Sequence, residues 1–314
     1  MEKKPLIVLT GPTAAGKTGL SIELAKRING AIISADSMQV YRHMDVGSAK
    51  ITKEEMEGIP HYLIDVLEPY EEFSVHLFKQ MAEKALDEIY EKGMIPIIVG
   101  GTGFYIQALL YDIQFTDTDT DTDYREKMEA LAKQNGPEWL HERLREIDPE
   151  ASEQIHANNV KRVIRALEYF HQTGRKISAH NAEERQRISP YCHIYFVLNR
   201  DREELYRRID LRVDIMLENG LLDEVKHLKE MGYTRDMVAM KGLGYKETLD
   251  YLGGEITLNE AIYRIKRDTR HFAKRQLTWF RRERDVTWVD LDGRAFNEVL
   301  EEMLSLLRNK GIIV

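Results

Sequence analysis

Over the first hundred residues, short β-branched apolar runs alternate with longer stretches in which apolar residues recur every three or four positions. That alternation predicts parallel strands covered by helices. Leu6-Ile7-Val8-Leu9 reads as a first strand, followed by a glycine-rich turn and a helix from about Lys17 to Asn29-Gly30. Ala31-Ile32-Ile33-Ser34 is a second buried strand, and Tyr62 to Val66 is expected as a third. From Ser74, an N-cap residue type, apolar positions at Leu77, Phe78, Met81, Ala82, Ala85, Leu86 and Ile89 mark one core-facing helix stripe. Gly93 closes it, Ile95 to Val99 forms the next strand, and Gly100-Gly101-Thr102-Gly103 breaks before a helix led by Phe104 and Tyr105.

The pattern changes after Tyr111. Asp117, Asp119, Asp121 and Asp123 alternate with threonines, and from Tyr124 to about Ser189 the periodicity is helical throughout. Strand signals return at His193 to Leu198 and at Thr287 to Leu291, before an amphipathic helix carrying Phe296, Val299, Leu300, Met303 and Leu307. The expected organisation is a discontinuous α/β core, residues 1–112 and 191–314, interrupted by a helical insertion, 113–190. No repeat of solenoid period interrupts it.

The 314 residues suffice for a substantial core. The one cysteine, Cys192, excludes an internal disulfide or a multi-cysteine zinc site and fits a reducing cytosol. No secretory pattern and no run of 18 apolar residues is present, so a cytoplasmic protein with no membrane partner is expected. Monomer is the default, since no interface signature stands out. With 45 Lys+Arg against 53 Asp+Glu, the net charge of −8 argues mildly against a nucleic-acid partner.

Gly11-Pro12-Thr13-Ala14-Ala15-Gly16-Lys17-Thr18 fits G-x-x-x-x-G-K-[ST] between an expected strand and an expected helix. The two glycines let the backbone turn its N–H groups toward one anion, Lys17 adds a point charge, and the helix N-terminus adds a partial positive charge. Thr18 would hold a Mg²⁺ through its hydroxyl. The fold class expected is therefore α/β, a P-loop NTPase-like parallel sheet flanked by helices, with an inserted all-helical domain, and the site binds a di- or triphosphate. The usual second acidic strand of such ATPases is missing, because Ile95 to Val99 runs into Gly100-Gly101. Asp36, just after the second strand, should reach the same crevice as Thr102. It reads equally as a general base and as a turn-capping aspartate.

Gly11 to Thr18, Asp36-Ser37-Met38-Gln39-Val40-Tyr41, Gly47-Ser48-Ala49-Lys50, Gly100 to Tyr105, Asn159 to Glu168 and Lys274-Arg275-Gln276-Leu277-Thr278-Trp279-Phe280 occur in this order. Together they closely resemble the bacterial tRNA dimethylallyltransferases, from about Leu6 to Phe280. The resemblance implies transfer of a dimethylallyl group from dimethylallyl diphosphate to the exocyclic amine (N6) of the adenosine 3′-adjacent to the anticodon in tRNA. It also implies that the P-loop holds a leaving diphosphate, which removes the need for the missing acidic strand. Asp36 would then be the base, Thr102 would lie beside the reacting groups, and Lys17 and Arg212 would bind diphosphate. Contacts with the tRNA anticodon stem-loop would come from Asp36, Ser37, Met38, Gln39, Thr102, Arg125 and the run Asn159, Val160, Lys161, Arg162, Val163. The family usually has a proline-containing segment where this chain carries its Thr-Asp run. The competing readings are a prenyltransferase acting on free adenine nucleotides, a P-loop small-molecule kinase and an NTP-dependent RNA-binding switch.

Charge distribution reverses what the total implied. Between Asn159 and Arg212 twelve basic residues face seven acidic ones, and between Arg264 and Arg284 nine face two. The second cluster contains His271, Trp279 and Phe280, so a tRNA-binding stripe with stacking aromatics is expected there, although Trp279 alone reads first as core.

Overall fold

The computed structural model describes residues 3–114 and 122–313. The Thr-Asp run from Thr116 to Asp121 lies outside the described residues. Two compact units emerge, Met1–Leu110 with Ser189–Val314, and Tyr111–Ile188.

The first unit begins with β1 (Pro5–Thr10), α1 (Lys17–Ile28), β2 (Gly30–Ser34), β3 (His61–Tyr62), α2 (Val75–Glu91), β4 (Ile95–Gly100) and α3 (Gly103–Leu110). The second unit holds α4 (Thr122–Asn135), α5 (Pro137–Ile147), α6 (Pro149–Gln154), α7 (Val160–Thr173) and α8 (Ile177–Arg185). The chain then returns to the first with β5 (Cys192–Asn199), α9 (Arg202–Glu218), α10 (Leu221–Glu230), α11 (Tyr245–Leu252), α12 (Leu258–Phe280), β6 (Val286–Asp290) and α13 (Phe296–Asn309).

Six parallel strands form one sheet in the order β3-β2-β4-β1-β5-β6. This bears out the α/β class read from the pattern. β1 lies inside the sheet and is fully buried from Leu6 to Thr10, as a strand covered on both faces requires. On one face Ile7, Leu9 and Phe196 meet Leu20, Leu24 and Ile28 of α1 and Val299, Leu300, Met303 and Leu307 of α13. Thr10 is level with Gly100 and Val197, and Ser34 with Val99. The turns after β1, β2, β4 and β5 therefore share one edge of the sheet, the crevice where such sheets bind ligands. No helix among the described residues is long and apolar enough to cross a membrane.

The third strand is shorter than its apolar run suggested. Only His61–Tyr62 pairs with β2, because Leu63 and Asp65 take left-handed backbone angles (φ 63° and 55°) that end the extended run. Val66 and Leu67 then turn back, donating their N–H groups to the Val40 carbonyl.

The second unit has its own core, with Met128, Leu140, Leu144, Val163, Ile164 and Leu167 at its centre. Gly136 precedes Pro137 at the start of α5, and Asp148 caps α6 while also accepting from the N–H and hydroxyl of Ser178.

Candidate functional site

The loop after β1 is shaped by backbone that few side chains tolerate. Gly11 has φ 145°, and a Cβ there would lie 2.6 Å from the Leu198 carbonyl oxygen; Gly16, the N-cap of α1, has φ 107°. No side chain caps α1 and no acidic residue sits in its first turn, so its N–H groups and partial positive charge stay available at the loop.

Three arginines, sequence-distant from the loop, hydrogen-bond to it. Arg200 Nε donates to the Ala15 carbonyl (3.0 Å), Arg208 Nε to the Ala14 carbonyl (2.9 Å), and Arg212 to Thr13 Oγ1 (3.1 Å). Asp292, two residues past β6, anchors Arg200 at 2.8 Å. Only Arg212 was legible beforehand. In the sequence Arg200 and Arg208 counted only among the basic residues expected to face tRNA, whereas in the fold both are bound to loop carbonyls.

Lys17 Nζ donates to the carbonyls of Gly11 (3.0 Å) and Pro12 (2.8 Å). Burial, reinforced by the nearby Arg212 charge and opposed by Asp36, brings its pKa down to about 8. Burial likewise pulls Arg212 below its ordinary value, with Asp36 opposing. Two cations and one carboxylate thus act on each other at the mouth of the loop.

Asp36 fills its turn-capping reading with one of its two carboxylate oxygens. Its Oδ1 accepts from the N–H groups of Met38 (2.8 Å) and Gln39 (3.4 Å), which fixes the turn after β2. The second carboxylate oxygen takes no hydrogen bond from a described residue. The Thr102 N–H donates to the carbonyl of Ala35, the residue before Asp36 (3.2 Å). At Gly100 a Cβ would lie 2.2 Å from that same carbonyl oxygen. β5, on the other side of β1, ends at Asn199, and the nearby Asp201 is occupied as the N-cap of α9. Neither neighbour of β1 therefore ends in the carboxylate that nucleotide-hydrolysing relatives of this loop use.

The remaining expected contacts divide. Ser37 and Met38 are half-buried, with Met38 packed toward Gly242, while Gln39 donates to the Ala49 carbonyl (3.3 Å). The Asp45–Gly47 turn is held by Glu224, which accepts three consecutive N–H groups and the Tyr245 hydroxyl. In the second unit, Asn159, Lys161 and Arg162 are exposed, Val160 is half-buried, and Val163 is wholly buried in the core. Arg125 faces Glu168 at 2.9 Å through both carboxylate oxygens, and Arg165 adds a third contact (3.2 Å). Glu168 is fully buried, so the charge of Arg125 serves first to neutralise it.

Along α12 the basic stripe is half spent. Arg264 pairs with Glu260, Lys266 with Asp214, Arg267 with Asp268 and Arg270 with Asp210. Lys274, Arg275, Arg281 and Arg282 are exposed and have no carboxylate partner among the described residues. Phe280 is core, whereas Trp279 is half-buried, its indole set against Gly103 and edge-on to Phe104 at 6.1 Å.

The family model described as IPP transferase matches residues 39–283, and one described as isopentenyl transferase matches residues 4–68. The chain is 61% identical over 311 residues to a tRNA dimethylallyltransferase of Lachnoclostridium phytofermentans, covering 99% of both chains. It is 55% identical over 310 residues to one of Acetivibrio thermocellus, covering 98% of this chain and 99% of the relative. Its fold is similar to the full-length tRNA isopentenylpyrophosphate transferase of Bacillus halodurans (TM-score 0.75, 46% identity, 98% and 97% of the two chains). It is also similar to a eukaryotic dimethylallyltransferase acting on tRNA (TM-score 0.82, 31% identity, 98% and 79%).

Proposed function

The chain belongs to the IPP transferase family, and from that premise we propose how its residues carry out the transfer of a dimethylallyl group to tRNA. It is a prenyltransferase. Its donor is dimethylallyl diphosphate and its acceptor the exocyclic amine of the adenosine 3′ to the anticodon. The observation that carries this reading is the pairing of a phosphate loop having no acidic neighbour strand with Asp36, a carboxylate beside Lys17 and Arg212.

The allylic carbon–oxygen bond breaks as the amine nitrogen bonds to that carbon. Negative charge grows on the departing diphosphate, and Lys17, Arg212 and the N–H groups of the loop neutralise it. The amine is a weak nucleophile because its lone pair is delocalised into the ring. The free oxygen of Asp36 takes the proton that nitrogen sheds, while Oδ1 keeps the carboxylate in place. Thr102, tied to Ala35, borders the same spot. An adenosine must leave its stack to reach it.

Among the described residues no three His, Cys, Asp or Glu side chains form a metal cage. Mg²⁺ typically keeps several waters and borrows phosphate oxygens, so the exposed Thr18 hydroxyl would suffice as the protein's ligand. When bound it would supply further charge neutralisation to the diphosphate.

Incubation of the protein with labelled dimethylallyl diphosphate and unmodified tRNA should place label in the RNA, and γ-labelled ATP should not. Label from ATP alone would refute this function.

Lys17 makes a separate forecast. With its pKa near 8, the free site is partly deprotonated at mildly alkaline pH, whereas the diphosphate-bound site favours the ammonium. Affinity should therefore fall as pH rises through 8. Calorimetry of dimethylallyl diphosphate binding at about pH 8.5, in buffers of differing ionisation heat, should show roughly half a proton or more taken up. Lys17→Arg, permanently charged, should show almost none.

On α12 and just past its end, the free cations define the expected tRNA face. Replacing Lys274, Arg275, Arg281 and Arg282 together by Gln should raise the KM for tRNA and flatten its logarithmic salt dependence by about 2 to 4. Replacing Arg264 and Arg267, already paired on the helix itself, should change that slope by less than about 1.

A further inference from the structure

Gln276 lies on the buried side of α12, one residue beyond the exposed Lys274-Arg275 pair. Its side-chain amide spans two turns that the sequence keeps far apart. Oε1 accepts from the N–H of Thr13 in the phosphate loop (2.9 Å), and Nε2 donates to the carbonyl of Gly101 (3.0 Å). Gly101 is followed by Thr102, whose own N–H reaches Ala35, the neighbour of Asp36. One amide therefore begins a chain of contacts from the diphosphate loop through Thr102 to the carboxylate.

The turn is shaped around this side chain. A Cβ at Gly101 would lie 2.2 Å from Gln276 Nε2, and one at Gly103 would lie 2.2 Å from Cδ1 of Trp279, one helical turn further along α12. Two glycines are thus fitted to two side chains of one helix. Both ends of the amide are used, with geometry that only a group carrying an acceptor and a donor on one carbon can match.

Resting on the transfer reaction above, we propose that Gln276 is a positioning residue. It fixes the distance between the diphosphate loop, which holds the donor, and the Thr102–Asp36 side, which receives the amine. The same helix offers free cations to tRNA on its outer side, so a docked tRNA and the leaving-group loop share one rigid support. Misplacing reacting atoms by about 1 Å can cost about 100-fold in rate, and such a loss falls on the chemical step more than on binding.

The test uses the full chain carrying Gln276→Met, which keeps length and removes both hydrogen bonds, and Gln276→Glu, which turns an oxygen toward the Gly101 carbonyl. Single-turnover transfer at saturating tRNA and dimethylallyl diphosphate should slow by about 30-fold in Q276M and about 100-fold in Q276E. In Q276M the Kd of each substrate should stay within about threefold of wild type. A saturating Q276M rate within threefold of wild type overturns the proposal. So does a loss that lies wholly in Kd, or the absence of cooperative melting in both variants, which would make Gln276 a folding residue. Wild type assayed alongside separates this from the reaction itself: failure of wild type to label tRNA sinks the transfer reading, and an unaltered Q276M beside an active wild type sinks only the role of Gln276.

Discussion

Asp36→Asn is expected to lower kcat by about 100-fold or more while the affinity for dimethylallyl diphosphate stays close to wild type. The substitution separates the two duties of this side chain. Asparagine presents the same Oδ1 to the N–H groups of Met38 and Gln39, so the turn after β2 survives. It has no oxygen able to accept a proton from the attacking amine. The loss of negative charge has a second effect, because Asp36 holds up the pKa of both Lys17 and Arg212. In the variant Lys17 should titrate lower, and diphosphate affinity should begin to weaken at lower pH than in wild type. Rates are therefore best compared at about pH 7, where Lys17 is still largely protonated in wild type. An unchanged kcat there would reduce Asp36 to a cap.

Arg212→Gln should cost about 100-fold to 1,000-fold in kcat/KM for dimethylallyl diphosphate, the scale seen when one preorganised donor to a developing anion is removed. Its guanidinium is tethered to Thr13 inside the loop and keeps its charge despite burial. Arg212→Lys should recover only part of the loss, since a point charge on a flexible stem does not reproduce the planar fork. The variant also has a calorimetric signature. Arg212 depresses the pKa of Lys17, so its removal lets Lys17 stay protonated to higher pH. Proton uptake on ligand binding at about pH 8.5 should shrink accordingly. A kcat/KM within fivefold of wild type, with unaltered uptake, would remove Arg212 from the diphosphate site.

What could be read before folding was whatever is encoded contiguously. The phosphate loop, its strand and its helix lie within Pro5 to Ile28, so motif and periodicity support each other directly. The parallel sheet followed from the alternation of strands and helices, because each element carries its own apolar period. Long-range partners left no local trace. Thr13 and Gln276 are separated by 263 positions, and Val46 and Glu224 by 178. Nothing in a glutamine's neighbours announces that both ends of its amide will meet backbone. Charge counting failed similarly on α12, where Asp210 and Asp214 of α9 occupy Arg270 and Lys266. The shortened third strand reflects left-handed backbone at Leu63 and Asp65, and the first of these is a residue type that rarely signals it.

Gly100 bears on how this protein could change over evolutionary time. Phosphate loops of this kind are shared with hydrolases, and glycine and aspartate codons can differ by one base. That step would put a Cβ 2.2 Å from the Ala35 carbonyl, a contact relieved only by parting β4 from the segment that carries Asp36. An acid at this end of β4 would thus come at the expense of the placement of Asp36, the base we propose for alkyl transfer. Neighbouring chemistries that look one mutation apart in sequence are separated here by a shared wall of main chain.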